Sequence, residues 1–73
     1  MEKFQVCNSV SVIRKERGYT QLELAKLADF SQQYISNIER GVLIPSIAKA
    51  IKLAEVLGVC HGELFFKCEI KDW

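Results

Sequence analysis

The sequence is poor in the residues that mark several specialised protein classes. It has one proline, one histidine and three cysteines. Three cysteines are an odd number and too few for a disulfide framework, so we expect reduced thiols. No apolar run approaches the ~20 residues of a membrane helix, and residues 1–4 do not begin a secretory signal. The composition therefore predicts a water-soluble cytoplasmic protein without a membrane partner.

The charges of the chain are almost balanced. The chain has ten Lys and Arg residues and nine Asp and Glu residues, which give a formal net charge of +1. A nucleic-acid-binding protein is often more basic, because contacts to phosphates supply much of its affinity. Any such function would depend on where the charges lie. The 73 residues, 49% of them hydrophobic, suggest a single domain over 1–73, with a core of about 6–65 and a C-terminal arm over 66–73.

Apolar residues recur at helical spacing and predict five helices. The first helix ends at Gly18, and Thr20 with Glu23 forms a capping box that begins the second. The third runs from about Ser31 to Arg40. The second helix is expected over about 20–28, the fourth over about 46–57 and the short fifth helix over about 61–65. The residues expected to face inward are Val6, Val10, Ile13, Leu24, Ala25, Leu27, Ala28, Ile35, Ile38, Ile47, Ala50, Ile51, Ala54, Leu57, Leu64 and Phe65.

The C-terminal arm has a different pattern. Phe66, Cys68 and Ile70 alternate with charged residues before Trp73. A period of two predicts a strand or an extended arm. We expect its apolar side chains to be buried against Phe4 near the other terminus or in a dimer interface.

The segment from Gln21 to Arg40 resembles the helix-turn-helix of the Cro and lambdoid-repressor family of XRE-like regulators. The likeness covers about 6–65 and is carried by residues in the family's order. These are Ile13-Arg14, Gly18-Tyr19-Thr20-Gln21, Leu24-Ala25, Tyr34-Ile35-Ser36, Ile38-Glu39-Arg40-Gly41, Pro45-Ser46, Leu57-Gly58-Val59 and Glu63-Leu64-Phe65. The resemblance implies a compact all-α five-helix DNA-binding domain, a transcription regulator such as a repressor, with no enzymatic activity and no cofactor.

Two positions depart from the family's pattern. The turn between the second and third helices, usually glycine, is Asp29, which tolerates the left-handed conformation at modest cost. The loop after the third helix, often basic or polar in the family, is Val42-Leu43-Ile44. Expected phosphate contacts are therefore missing from this loop, or another surface binds there.

The third helix carries the residues expected to read DNA. With Ile35 and Ile38 inward, its outer face holds polar side chains at neighbouring helical positions. Amide side chains can pair with adenine in the major groove, and the resemblance implies that the first turns of this helix contact bases. The predicted base readers are Gln32, Gln33, Ser36 and Asn37.

Other residues receive flanking or structural roles. Gln21, at the amino end of the second helix, suits a phosphate, and Tyr34, Arg40 and Arg17 are further phosphate candidates. The resemblance implies a structural ion pair between Arg14 and Glu39. As a homodimer, the protein would place the two third helices in successive major grooves of a pseudo-palindromic site. The predicted dimer interface comprises Leu64, Phe66, Ile70 and Trp73.

Other functions have weaker support. Cys60 and His61 are adjacent, but no orienting group accompanies them, and Cys60 stands where an N-cap residue is expected. A metal site from Cys60, His61 and Cys68 lacks paired ligand spacing, and no metal is predicted. Redox sensing through Cys60 or Cys68 is a further alternative, whereas Cys7 is expected in the core.

The main alternative is a protein-interaction or antitoxin-like module on the same fold. The near-neutral charge and the apolar loop Val42-Leu43-Ile44 favour a protein partner. The two classes differ in salt dependence, because counterion release makes DNA binding weaken steeply with salt.

Overall fold

The computed structural model describes the backbone of residues 4–69 and the side chains of residues 6–68. The five predicted helices are present, together with a small sheet. In chain order the elements are β1 (Phe4–Asn8), α1 (Val10–Glu16), α2 (Gln21–Ala28), α3 (Gln32–Glu39), α4 (Ile47–Leu57), α5 (His61–Leu64) and β2 (Phe65–Glu69). No helix in this described part is long and apolar enough to cross a membrane.

Local side-chain chemistry sets where the helices begin. The predicted capping box is confirmed, because the Thr20 hydroxyl accepts from the Glu23 amide at 3.1 Å and the Glu23 carboxylate accepts from the Thr20 amide at 2.9 Å. Ser31 and Ser46 accept in the same way from the amides at the third helical positions of α3 and α4. The N-cap satisfies a backbone donor that has no partner within the helix.

The turn between α2 and α3 depends on one left-handed residue. Asp29 ends α2 with φ 60° and ψ 43°. Its side chain tolerates this region better than most non-glycine residues. The expectation for this position is confirmed, and the turn lets Phe30 return an amide hydrogen bond to the Ala25 carbonyl at 2.8 Å.

One aliphatic core joins all five helices. Its fully or almost fully buried members are Val10, Leu24, Ala25, Ala28, Ile35, Ile38, Leu53, Ala54, Leu57 and Leu64. The small Ala25 and Ala28 on α2 allow close approach of the neighbouring helices. Because α3 contributes Ile35 and Ile38 to this core, its opposite face is directed away from the bundle.

Several predicted core positions are wrong. Leu27 is 54% exposed, and Ile47 and Ile51 are 66% and 39% exposed. On α4 the buried side is instead formed by Ala50, Leu53, Ala54 and Leu57. These lie at helical spacing i, i+3, i+4 and i+7, and packing against α2 and α5 selects this side among the apolar residues available on α4.

The chain also departs from an all-helical fold at its ends. Val6 was predicted on the first helix but lies in β1, because Asn8 Oδ1 accepts from the Val10 amide and α1 begins only there. Strands β1 and β2 are antiparallel, with Val6 opposite Lys67 and Cys7 opposite Phe66. The predicted extended conformation of the arm is therefore confirmed as far as Glu69, whereas Phe66 remains 42% exposed in this single chain and its burial in a dimer interface stays a prediction.

The prediction of reduced thiols is wrong for two of the three cysteines. A disulfide joins Cys7 to Cys68, with a Cα–Cα distance of 5.8 Å. Cys7 is half-buried in β1 and is not part of the helical core. The antiparallel pairing of the two strands brings these cysteines together although 61 positions separate them in the sequence.

Candidate nucleic-acid interface

Helix α3 has one apolar and one polar side. Ile35 and Ile38 are 0% exposed and fix the rotation of the helix about its axis. The side chains on the other side, which we call the reading face, are Gln32, Gln33, Ser36 and Asn37. The first two are exposed and the last two half-buried. The structure thus brings the four predicted base-reading residues onto one accessible surface.

The reading face continues onto the amino end of α2. Gln21 is the first residue of α2 and lines, with Gln32, Gln33 and Ser36, a shallow depression of about 330 Å³. A predicted phosphate-binding residue and three predicted base readers therefore share one surface. The backbone amides in the first turn of a helix have no partner within the helix and favour an anion, which suits the phosphate role predicted for Gln21.

A hydrogen-bond network links the second half of the reading face. Asn37 Oδ1 accepts from Gln33 Nε2 at 3.0 Å and from Arg40 Nη2 at 2.6 Å. Arg40 follows the last residue of α3 and is exposed. Helical spacing already places this phosphate candidate beside the reading face, and the structure adds its direct hydrogen bond to a base-reading candidate.

Arg14 and Glu39 lie in the predicted ion pair. Arg14 Nε donates to Glu39 Oε2 at 2.7 Å, Nη2 donates to Oε1 at 3.2 Å, and the two side chains are 10% and 7% exposed. Arg14 Nη1 also donates to the Tyr19 carbonyl at 2.8 Å. Gln21 Nε2 donates to the same Glu39 carboxylate at 3.0 Å. The pair thus connects α1 to the end of α3 and holds the Gln21 side chain.

The two remaining phosphate candidates differ in their surroundings. The Tyr34 ring packs against Phe30 at 4.9 Å, and Lys49 Nζ lies 5.1 Å from its centroid. Burial raises the pKa of the Tyr34 phenol above its ordinary value of 10.0, so its hydroxyl stays a neutral donor at physiological pH. Arg17 Nε instead donates to the Leu57 carbonyl at 2.9 Å and so caps the end of α4.

Sequence reasoning missed two polar residues beside this site. Lys49, on the first turn of α4, reaches Tyr34 of α3 through space. Asn8 Nδ2 donates to the Ile38 carbonyl at 2.9 Å and so ties β1 to the end of α3. No local signal marks either contact, because both partners are distant in sequence.

The alternative sites do not assemble. Cys60 precedes α5 without a side-chain cap hydrogen bond, and His61 is exposed. Cys68, the third residue of the considered metal set, is bonded to Cys7. Among the described residues, no group of three or more His, Cys, Asp or Glu side chains could hold a metal ion.

The predicted dimer residues are spread over different environments. Leu64 is 0% exposed within the core of one chain, so its side chain is not on the surface. Phe66 is 42% exposed, whereas Ile70 and Trp73 lie outside the described residues. In the loop after α3, Val42 and Ile44 are 68% and 64% exposed.

The fold and sequence match known transcription regulators. A family model described as Helix-turn-helix matches residues 12–64. The HTH-type transcriptional regulator y4dJ of Sinorhizobium fredii is 46% identical over 52 residues, which are 71% of this chain and 68% of that protein. The immunity repressor of Bacillus phage phi105 is 40% identical over 50 residues, covering 68% of this chain but only 35% of the repressor.

A solved structure shows the same arrangement. SinR of Bacillus subtilis, a master regulator for biofilm formation crystallised in complex with DNA, matches with a TM-score of 0.68 and 40% identity over 71% of this chain and 84% of that chain. The chain therefore belongs to the helix-turn-helix family of DNA-binding transcriptional regulators of the Cro and lambdoid-repressor type.

Proposed function

We propose that this protein binds double-stranded DNA sequence-specifically as a homodimer and regulates transcription from a pseudo-palindromic operator. Each α3 enters the major groove, where Gln32, Gln33, Ser36 and Asn37 contact base edges. One observation carries the proposal. The polar reading face lies on a helix whose opposite side, Ile35 and Ile38, is fully buried, so the four side chains are presented together on a rigid support.

Phosphate contacts flank the reading face in this proposal. Gln21 stands at the amino end of α2 and is held by Glu39 at 3.0 Å. Arg40 supplies positive charge at the other end of α3, and Tyr34 with Lys49 supplies a hydroxyl and an ammonium group near its beginning. Such contacts fix the register of the protein on the duplex without reading its sequence.

The dimer would place two copies of α3 about one helical turn of DNA apart, ~34–36 Å. The β1–β2 end carries the half-exposed Phe66, which we assign to the contact between copies. Sedimentation at several concentrations tests this part. Phe66→Glu should give monomers, whereas a variant that still sediments as a dimer would place the contact elsewhere.

The main experiment selects binding sites from a randomised duplex pool and follows affinity for the enriched site against salt. We expect a two-fold symmetric site containing A·T pairs, with affinity falling steeply as salt rises. Gln33→Ala should weaken binding about tenfold. Glu55→Ala, an exposed change on α4, is the matched control and should leave binding unchanged.

The exposed apolar loop supports one competing function. Val42, Ile44 and the adjacent Ile47 are all more than 60% exposed, and exposed apolar patches often bind protein. If no sequence is enriched at low salt, this loop becomes the surface to test for a protein partner, with Val42→Ser and Ile44→Ser expected to abolish its capture.

A further inference from the structure

The network at the carboxyl end of α3 determines which atoms the reading face offers to DNA. Asn37 Oδ1 receives two hydrogen bonds, from Gln33 Nε2 at 3.0 Å and from Arg40 Nη2 at 2.6 Å. Gln33 and Asn37 are four positions apart on α3, and Arg40, three positions further on, is the C-cap of the helix. They therefore form a continuous row along the side of α3 that faces away from Ile35 and Ile38.

The chemistry of Arg40 orients the rest of the row. A guanidinium group has donors and no acceptor, so the Asn37 amide has to turn its oxygen towards Arg40. Gln33 contacts the same oxygen and therefore has to present its own amino group. Both lone pairs of Asn37 Oδ1 are then used. The atoms left to face DNA are Asn37 Nδ2, a donor, and Gln33 Oε1, an acceptor.

This arrangement changes how the two amides can read a base. A free Asn or Gln pairs with adenine through both of its own amide atoms. Asn37 cannot do so while its oxygen is occupied. Adenine offers N7 as acceptor and the 6-amino group as donor in the major groove, whereas guanine offers two acceptors. The outward donor of Asn37 and acceptor of Gln33 together complement adenine, and the acceptor of Gln33 opposes guanine O6.

We propose that Gln33 and Asn37 read one adenine as a single donor–acceptor unit and that Arg40 is the positioning residue that orients this unit. The inference rests on the proposed function, since it specifies how the reading face discriminates. Arg40 thereby decides specificity without touching the base. A contact from Arg40 to a phosphate would act differently, because its loss weakens binding to all sequences alike and lowers the salt slope by about one contact.

The first experiment uses the duplex enriched from the random pool and alters single atoms of the contacted adenine. 7-Deazaadenine lacks the N7 acceptor, and purine lacks the 6-amino donor. Each should weaken binding of the wild-type protein about tenfold. Asn37→Ala should be indifferent to 7-deazaadenine but still sensitive to purine. Gln33→Ala should be indifferent to purine but still sensitive to 7-deazaadenine.

Two results of this experiment would overturn the shared reading. If Asn37→Ala is indifferent to both analogues while Gln33→Ala remains sensitive to both, Asn37 reads adenine alone. The shared reading is also refuted if neither 7-deazaadenine nor purine, placed at any adenine of the enriched site, weakens binding of the wild-type protein. The helical circular dichroism of each variant is compared with the wild type, and all three side chains lie outside the core.

The second experiment tests Arg40 through the preference for adenine over guanine at that position. Arg40→Ala should lower this preference about tenfold, because the Asn37 amide can then rotate. Arg40→Lys, which also has only donors, should keep the preference. If Arg40→Ala weakens binding to both duplexes equally, Arg40 contacts phosphate only and the positioning role is refuted. If the wild type shows no sequence preference at all, it is the proposed function that fails.

Discussion

The bundle of helices α1–α5 and the terminal sheet, formed by β1 and β2, bury very different amounts of apolar surface. In the bundle, large side chains such as Leu24, Ile35 and Leu53 are 0% exposed. In the sheet, Val6 and Phe66 remain 38% and 42% exposed. An isolated pair of strands is at best marginally stable in water. The sheet therefore depends on its disulfide, on polar contacts to the bundle and on the partly buried Phe65 of β2, which packs against the core, whereas the bundle depends on burial throughout.

The two regions meet at the end of the reading helix. A shallow depression is lined by residues of β1 and of the end of α3, among them Cys7, Asn8 and Arg40. Asn8 Nδ2 bonds the Ile38 carbonyl, and the Ser9 amide bonds the Leu64 carbonyl at 2.8 Å. Helix α3 is therefore oriented by its core contacts, and the sheet adds a separate, covalently closed support to its carboxyl end.

The largest expected effect concerns the disulfide. The double variant Cys7→Ser with Cys68→Ser should lose about 4 kcal/mol of unfolding free energy, because the bond closes a loop of nearly the whole chain. Urea unfolding measures this loss, and hydrogen exchange should accelerate most in β1 and β2. Cys60→Ser is the control, since Cys60 is exposed and free. A double variant as stable as the wild type would show that the terminal sheet does not depend on its disulfide.

The next effect tests burial in the bundle. Leu53→Ala should lower the unfolding free energy by about 3 kcal/mol, because it leaves a cavity in the core. Leu27→Ala, the same change at a side chain that is 54% exposed, should cost less than about 0.5 kcal/mol. Thermal and urea unfolding of both variants measure the contrast. If both variants lost the same unfolding free energy, the result would contradict the outward orientation of Leu27 on α2.

A smaller effect is expected where the regions join. Asn8→Ala removes the hydrogen bond to the Ile38 carbonyl and the cap on the Val10 amide. About 1–2 kcal/mol should be lost, at roughly 1 kcal/mol for each bond. Hydrogen exchange should show faster opening at the end of α3 and at the start of α1. Unchanged protection at both places would show that Asn8 does not couple them.

The smallest effect is the pH dependence of the capping box on α2. The hydrogen bonds from the Thr20 backbone and side chain hold the pKa of Glu23 below its ordinary value of 4.5. A lowered pKa in the folded state means that this stabilisation is present above pH 4.5 and is lost as the pH falls through the lowered value. Acid titration of Glu23→Gln should lack this component. A variant with the wild-type acid profile would contradict the assignment.

Much of the helical fold was predictable because its signals are local. Thr20 with Glu23, Ser31 and Ser46 mark helix starts through contacts within a few residues. The left-handed turn at Asp29 follows from the same kind of reasoning. The reading face was predictable as well, since placing Ile35 and Ile38 inward determines what faces outward on one helix.

Other features could not be read from spacing. Val6 stands at a helical interval before Val10, yet it lies in a strand that pairs with β2, opposite Lys67. Leu27 and Ile51 continue apolar patterns, but neighbouring helices cover other sides of α2 and α4. Arg17 was assigned to phosphate, whereas it donates to the Leu57 carbonyl 40 positions away. In each case the deciding contact lies outside the local window.

The five helices, the side-chain caps of α2, α3 and α4 and the polar row on α3 follow from the sequence, because each depends on residues within a turn or two of one another. The pairing of Cys7 with Cys68, the burial of the Arg14–Glu39 pair and the sharing of Asn37 by Gln33 and Arg40 follow only from the three-dimensional arrangement. The physical reason is that strand register, burial and hydrogen-bond direction are set by distances in space. A side chain's type says what it can donate or accept, and only its neighbours decide which of those atoms remain free.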